Sequence, residues 1–115
     1  MNLKDQVLSI VQVRELQELG FDVNKHSSLK SNGKQIITKD DFYIGGAPLF
    51  PTLTIGDIIE ILPENIDNNF FLMFEKDYVA YNNRYLVLMS KEEKNLITTL
   101  FETLKWCIKE KHIEL

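Results

Sequence analysis

The sequence contains few of the residues from which covalent cross-links and metal sites are built: one cysteine and two histidines among 115 residues. Because Cys107 stands alone, the chain can form neither an intrachain disulfide nor a cluster of thiolate metal ligands. His26 lies in a polar segment and His112 lies near the end of the sequence, so we interpret both as surface residues. We therefore expect no metal site and no cofactor.

Recognisable catalytic motifs are also missing. The sequence has no G-x-G-x-x-G or G-K-[ST] phosphate loop and no H-E-x-x-H zinc motif. With only two histidines, the supply of general bases is poor. We interpret the protein as non-enzymatic. An enzyme with an unrecognised site is a further alternative, and it would have a pocket with converging polar groups and strongly shifted pKa values.

Long apolar runs and an excess of positive charge are absent as well. No run approaches the roughly 18–20 apolar residues that a membrane-spanning helix needs, so we expect no membrane partner. The 13 lysines and arginines against 17 aspartates and glutamates give a formal charge of −4, which disfavours general binding to nucleic acid. The 44% hydrophobic and 26% charged residues are ordinary for a folded protein. The length predicts a single domain, residues 1–115.

What the sequence does contain is helical periodicity with clear boundaries. The segment Ile10–Leu19 has apolar residues at three-residue spacing. Ser9 and Gln12 form a capping box in front of it. Gly20 follows it and suits the left-handed position that ends many helices. These signals predict a helix from about residue 10 to residue 19.

Two further segments predict helices. Thr54 is a good N-cap for a short helix over Ile55–Ile61, which the following proline then ends. A second capping box at Ser90 precedes a wide apolar stripe, which predicts a long helix over about Lys91–Glu110. Cys107 lies on that stripe, so we expect its thiol to be buried and unreactive.

The remaining apolar segments predict strands. Phe70–Phe74, Tyr78–Tyr81 and Tyr85–Met89 read as a three-stranded antiparallel meander, and Asn32-Gly33 predicts a hairpin turn between Ser28–Lys30 and Gln35–Thr38. The meander is apolar on both faces, so we expect both faces to be covered. The predicted fold is α+β, an antiparallel sheet packed by three helices in the order α-β-β-α-β-β-β-α.

A candidate binding surface is the apolar loop around Gly45–Pro51. Loops without regular structure often carry function. We predict that a binding surface, if the loop forms one, consists of Phe42, Tyr43, Leu49 and Phe50. The alternative interpretation, which we favour, is that the loop packs across the sheet as a plug.

The basic residues of the hairpin region give a second hypothesis. Lys25, Lys30, Lys34 and Lys39 form the most basic stretch, and aromatic residues follow them. A positive hairpin next to aromatic rings could bind single-stranded nucleic acid or RNA through phosphate contacts and stacking. The favoured alternative is a solvated hairpin in which lysines protect an edge strand.

Two helical segments and the tail also carry a resemblance. The stretches Ser9–Gly20 and Pro51–Pro63, together with the tail Lys111–Ile113, resemble small proteins of unassigned activity that are encoded by phages and prophages of gut bacteria. The resemblance implies the cytoplasm of a bacterial host, and it carries no site residues. Our leading hypothesis is a non-enzymatic phage or prophage accessory protein that acts through protein–protein contacts, including self-association through the apolar meander.

Overall fold

The protein has an α+β fold, as predicted, in a computed structural model that describes residues 6–31, 36–38 and 50–115, with residues 31 and 36–38 described by their backbone alone. Within these ranges the chain forms four helices and two antiparallel sheets. The elements are, in chain order, α1 (Ile10–Glu18), α2 (Val23–His26), β1 (Leu29–Ser31), β2 (Ile36–Thr38), β3 (Phe50–Thr52), α3 (Ile55–Ile61), β4 (Asn65–Ile66), β5 (Phe70–Glu75), β6 (Tyr78–Asn82), β7 (Val87–Glu92) and α4 (Leu96–Lys109).

Both sheets are one strand larger than predicted. The first sheet has the order β2-β1-β3, because β3 joins the predicted hairpin on the far side of β1. The second has the order β4-β5-β6-β7, because the two-residue strand β4 pairs with the predicted meander. The prediction of three helices also missed α2, whose four residues are too few to show helical periodicity. The predicted Asn32-Gly33 turn lies outside the described residues.

Helix α1 begins and ends as its sequence predicts. The Ser9 hydroxyl accepts a hydrogen bond from the Gln12 amide at 3.2 Å, and the Gln12 side chain accepts one from the Ser9 amide at 2.9 Å. Gly20 has a φ of +90°, which a residue with a side chain rarely adopts. The Phe21 amide then donates to the Leu16 carbonyl, as in a Schellman ending. Ser9 and Gln12 thus fix where the helix begins, and Gly20 and Phe21 fix where the chain turns back toward the core.

Helix α3 has the predicted bounds, but α4 does not. The predicted start at Lys91 is wrong, because Ser90, Lys91 and Glu92 continue strand β7 opposite β6. The helix begins at Leu96, and its N-cap is Asn95, whose side chain accepts from the Thr98 amide at 3.0 Å. Pairing with a neighbouring strand satisfies several backbone groups at once, so it outweighs a local capping signal.

Strand β7 is displaced toward the C-terminus relative to its prediction. It covers Val87–Glu92 rather than Tyr85–Met89. A bulge accompanies the shift, since Tyr81 lies opposite Met89 while the next residue, Asn82, lies opposite Val87. Tyr85 and Leu86 consequently belong to the turn between β6 and β7.

Helix α4 packs on the inner face of the four-stranded sheet, and the core lies between them. Val79, Tyr81 and Met89 point from the sheet into a single cluster of buried side chains that also contains residues of α1, α3 and the segment before α3. The members from α4 are Ile97, Leu100, Phe101, Leu104, Cys107 and Ile108.

Two polar contacts fasten other elements to α4. Thr99, whose side chain is fully buried, donates from its hydroxyl to the Asp77 carbonyl at 2.7 Å and accepts from the Glu93 amide at 2.9 Å. Near the other end of the helix, Lys105 forms an ion pair with Glu15 of α1 at 2.8 Å. The first contact joins α4 to the β5–β6 turn, and the second joins it to the first helix.

No helix in the described residues has the length and apolar character needed to cross a membrane.

Candidate interaction surface

The four-stranded sheet has an outer face, which points away from α4. Side chains alternate between the two faces of a strand, and residues paired across strands point the same way. Since Tyr81 and Val79 point into the core, the residues between and beside them point outward. The outer face therefore carries, in three rows across β5, β6 and β7, Phe71, Asn82 and Val87, then Met73, Ala80 and Ser90, then Glu75, Tyr78 and Glu92.

Large apolar side chains are exposed along one end of this face. Phe71 and Val87 are 54% and 56% exposed. Tyr85 and Leu86, which directly precede β7, are 83% and 62% exposed. We call this region the outer patch, which consists of Phe71, Met73, Tyr85, Leu86, Val87 and Leu88.

The turn that presents Tyr85 and Leu86 is held in place by Asn83. Its side-chain oxygen accepts hydrogen bonds from the amides of Tyr85 and Leu86, each at 2.8 Å. Its backbone amide donates to the Leu86 carbonyl at 2.8 Å, and its side-chain nitrogen donates to Asn69 at 3.1 Å. The last bond joins this turn to the turn in front of Phe71. The exposed apolar residues thus occupy a defined and continuous surface.

The prediction that both faces of the meander are covered is wrong at the outer patch. Helix α4 has 14 residues and packs against the inner face. Ala80 is the one outward residue of β6 that is fully buried. Phe71 and Val87 were correctly located in strands, but their predicted burial does not occur.

Of the four residues predicted to form a binding surface, Phe42, Tyr43 and Leu49 lie outside the described residues. Phe50 begins β3, is half-buried, and packs against the core. Phe50 is therefore a member of the first sheet, paired with Ser31 of β1. The larger surface stays a prediction.

The basic residues of the nucleic-acid hypothesis are described in part. Lys25 is exposed in α2, where its amide donates to the Asp22 side chain at 3.3 Å. Lys30 is half-buried in β1. Lys34 and Lys39 lie outside the described residues, so the predicted basic hairpin stays a hypothesis.

Each histidine lies against an aromatic ring. His26 lies against Phe21 with ring centroids 5.1 Å apart, and His112 lies against Trp106 at 5.0 Å. Among the residues with described side chains, no group of three or more histidine, cysteine or acidic residues could hold a metal ion.

The groups with strongly shifted pKa values are buried beneath the sheet. Burial raises the pKa of the Cys107 thiol to about 11, and burial also raises the pKa of the Tyr81 hydroxyl. Tyr81 donates to the Pro63 carbonyl at 2.8 Å, and the thiol lies 3.9 Å from the Tyr81 oxygen. A thiol that stays protonated at neutral pH is a poor nucleophile, so this pair has a structural role. The predicted burial of Cys107 is confirmed.

Among the described residues, one open depression lies beside the C-terminal tail, and another includes the third row of the outer face. One has a volume of about 550 Å³ and is lined chiefly by Leu19, Ile108, Lys109, Lys111, Ile113 and Leu115. The other, of about 460 Å³, is lined by Glu75, Lys76, Asp77, Tyr78 and Glu92. Neither contains Tyr81 or Cys107, so these depressions do not combine a pocket with a strongly perturbed group.

The sequence predicts self-association through the meander, but it does not single out the residues of the outer patch, because Tyr85 and Leu86 read as part of a strand with both faces covered. A signal was present: Asn82-Asn83 is followed by Arg84 and then by five consecutive apolar residues without a polar alternation. No protein-family model matches the chain, and no curated protein or solved structure shows significant similarity to it.

Proposed function

We propose that the protein is a non-enzymatic accessory protein that acts through protein–protein contacts at the outer patch. The observation that carries this proposal is the exposure of Phe71, Tyr85, Leu86 and Val87, each more than half accessible, at one end of a single sheet face. The largest exposed apolar patch on a protein is often a binding site.

The way in which the patch is presented supports the same proposal. Asn83 holds the β6–β7 turn with hydrogen bonds to two amides and one carbonyl, so the side chains of Tyr85 and Leu86 start from a fixed backbone. A fixed surface loses less conformational entropy on binding than a loose one. Aromatic residues are also enriched in the centres of interfaces.

The origin and compartment belong to this proposal as well. The resemblance of Ser9–Gly20 and Pro51–Pro63 to small phage and prophage proteins supports a role in the cytoplasm of a bacterial host.

Affinity capture with matched variants tests the proposal. The tagged protein, Val87→Glu and the control Val11→Glu are each used on a bacterial lysate, once without and once with nuclease treatment. Val11 is 68% exposed on α1, so it places the same new charge at an apolar surface residue away from the patch. We expect the protein and the control to retain the same partners and Val87→Glu to lose them.

Two results would contradict the proposal. Recovery of the same partners by Val87→Glu would show that the outer patch does not bind them. Recovery that disappears after nuclease treatment would instead support the hypothesis of nucleic-acid binding through Lys25, Lys30, Lys34 and Lys39.

A further inference from the structure

We infer that the outer patch binds a second copy of this chain, in a two-fold dimer whose outer faces pack against each other with antiparallel strands. The inference rests on the proposed function, since it names the partner of the same surface. Area, the chemistry of the rows and the positions of charged residues all agree with it.

The exposed apolar area matches what a dimer requires. From the exposures of its residues, and from the 150–250 Å² that an aromatic side chain can bury, the outer patch presents roughly 500 Å². A standard interface buries about 800 Å² on each partner, and in homodimers about two-thirds of that area is apolar. One copy of the patch therefore supplies the apolar part of one side of such an interface.

A two-fold axis between the first and second rows brings apolar residues together. The axis lies parallel to both sheets and perpendicular to the strands, so each strand lies over the same strand of the other copy. Phe71 of one copy then faces Met73 of the other, and Val87 faces Ser90. Two sheets packed face to face lie about 10 Å apart, so side chains of the two rows interdigitate. Ala80 and Ser90 have small side chains, so the second row leaves space for the larger first-row side chains of the other copy.

The same axis position pairs opposite charges. Arg84 lies two residues beyond Asn82, outside the first row, and Glu92 lies in the third row. Rotation about an axis midway between the first and second rows places Arg84 of one copy over the third row of the other, on the side of β7. Arg84 and Glu92 are both exposed, and the symmetry creates their pair twice. The positions of Arg84 and Glu92, and not the net charge of the chain, favour this register.

Sedimentation equilibrium of the full chain over a range of concentrations tests the dimer. We expect the mass to rise from 13.4 kDa toward twice that value for the protein and for Val11→Glu. Val87→Glu should weaken association by roughly 100-fold or more, because it buries two charges in the centre of the interface. A protein that remains at 13.4 kDa up to about 1 mM would overturn the inference.

Charge reversal tests the register and guards against a folding defect in Val87→Glu. Arg84 and Glu92 are exposed, so their variants should keep the circular dichroism spectrum and thermal midpoint of the protein. Arg84→Glu alone should weaken association about 10-fold, and Arg84→Glu combined with Glu92→Arg should restore it. A double variant as weak as the single one would overturn the antiparallel arrangement.

The outcomes separate this inference from the proposed function. A chain that is monomeric but loses its lysate partners with Val87→Glu would overturn the dimer and leave the proposed function standing. A chain that dimerises while Val87→Glu retains all lysate partners would overturn the proposed function and leave the dimer standing.

Discussion

Replacing Thr99 by valine should destabilise the fold far more than the same change at Thr103. Both side chains lie in α4 and are fully buried, and valine has nearly the same shape as threonine. Thr99 donates to the Asp77 carbonyl at 2.7 Å and accepts from the Glu93 amide at 2.9 Å. Valine would remove both of these bonds.

The expected loss follows from what each hydroxyl satisfies. A buried polar group that loses its partner costs about 1–3 kcal/mol, and Thr99→Val affects a carbonyl and an amide outside the helix, so we expect about 2 kcal/mol. The Thr103 hydroxyl instead donates at 2.8 Å to the Thr99 carbonyl, which already accepts a helical hydrogen bond. We therefore expect Thr103→Val to change the free energy of unfolding by no more than about 0.5 kcal/mol.

Urea unfolding followed by circular dichroism measures the difference. For a chain of this size the dependence on urea is about 1–2 kcal/mol per M, so the midpoint of Thr99→Val should fall by roughly 1 M. The midpoint of Thr103→Val should stay within about 0.3 M of the unmodified protein. Equal midpoints for the two variants would refute the idea that Thr99 joins α4 to the β5–β6 turn.

Two other predictions concern backbone conformation and pH. Gly20→Ala should lower the free energy of unfolding by about 1 kcal/mol because of the positive φ. Gly56→Ala, inside α3, should raise it by about 0.5–1 kcal/mol. Thermal unfolding measures both changes, and a destabilised Gly56→Ala would contradict the prediction. Burial raises the pKa of the Cys107 thiol from 9.0 to about 11 and also raises the pKa of Tyr81. Each group ionises first in the unfolded chain, so its contribution to stability falls as the pH rises above its ordinary pKa, 9.0 for Cys107 and 10.0 for Tyr81. The fall is up to about 1.4 kcal/mol per pH unit and group. Cys107→Ala should lessen that dependence in urea titrations, and an unchanged slope would contradict it.

The sequence predicted α1 and α3 well because both ends of each helix are encoded by nearby residues. Ser9 and Gln12 exchange hydrogen bonds at the start of α1, and the positive φ of Gly20 allows the chain to leave the helix. Thr54 has the same role in α3, with Asp57 as its partner. Such bonds span three residues, so they are independent of the remaining fold.

The start of α4 could not be predicted from the same kind of signal. Ser90 and Glu93 match the capping-box pattern, but Ser90 lies in strand β7 and pairs with Ala80, ten residues earlier. That pairing depends on where the bulge after Tyr81 places the strand. A capping signal and a strand pairing compete for the same backbone groups, and local sequence does not reveal the second competitor.

Which apolar strand residues are buried could not be predicted from local sequence either. The apolar residues of β5 and β7 predicted two covered faces, whereas coverage depends on which helices reach the sheet. Helix α4, about 21 Å long from its 14 residues, packs on one face. Apolar character alone could not distinguish a core residue such as Val79 from an exposed one such as Val87.

The position of Trp106 gives the molecule an intrinsic optical reporter. It is the single tryptophan of the chain, and it lies between Tyr81 of the sheet, at 6.1 Å, and His112 of the C-terminal tail, at 5.0 Å. Its fluorescence therefore comes from the place where α4, the sheet and the tail meet. Local unfolding of this region can therefore be followed by tryptophan fluorescence in the unlabelled protein.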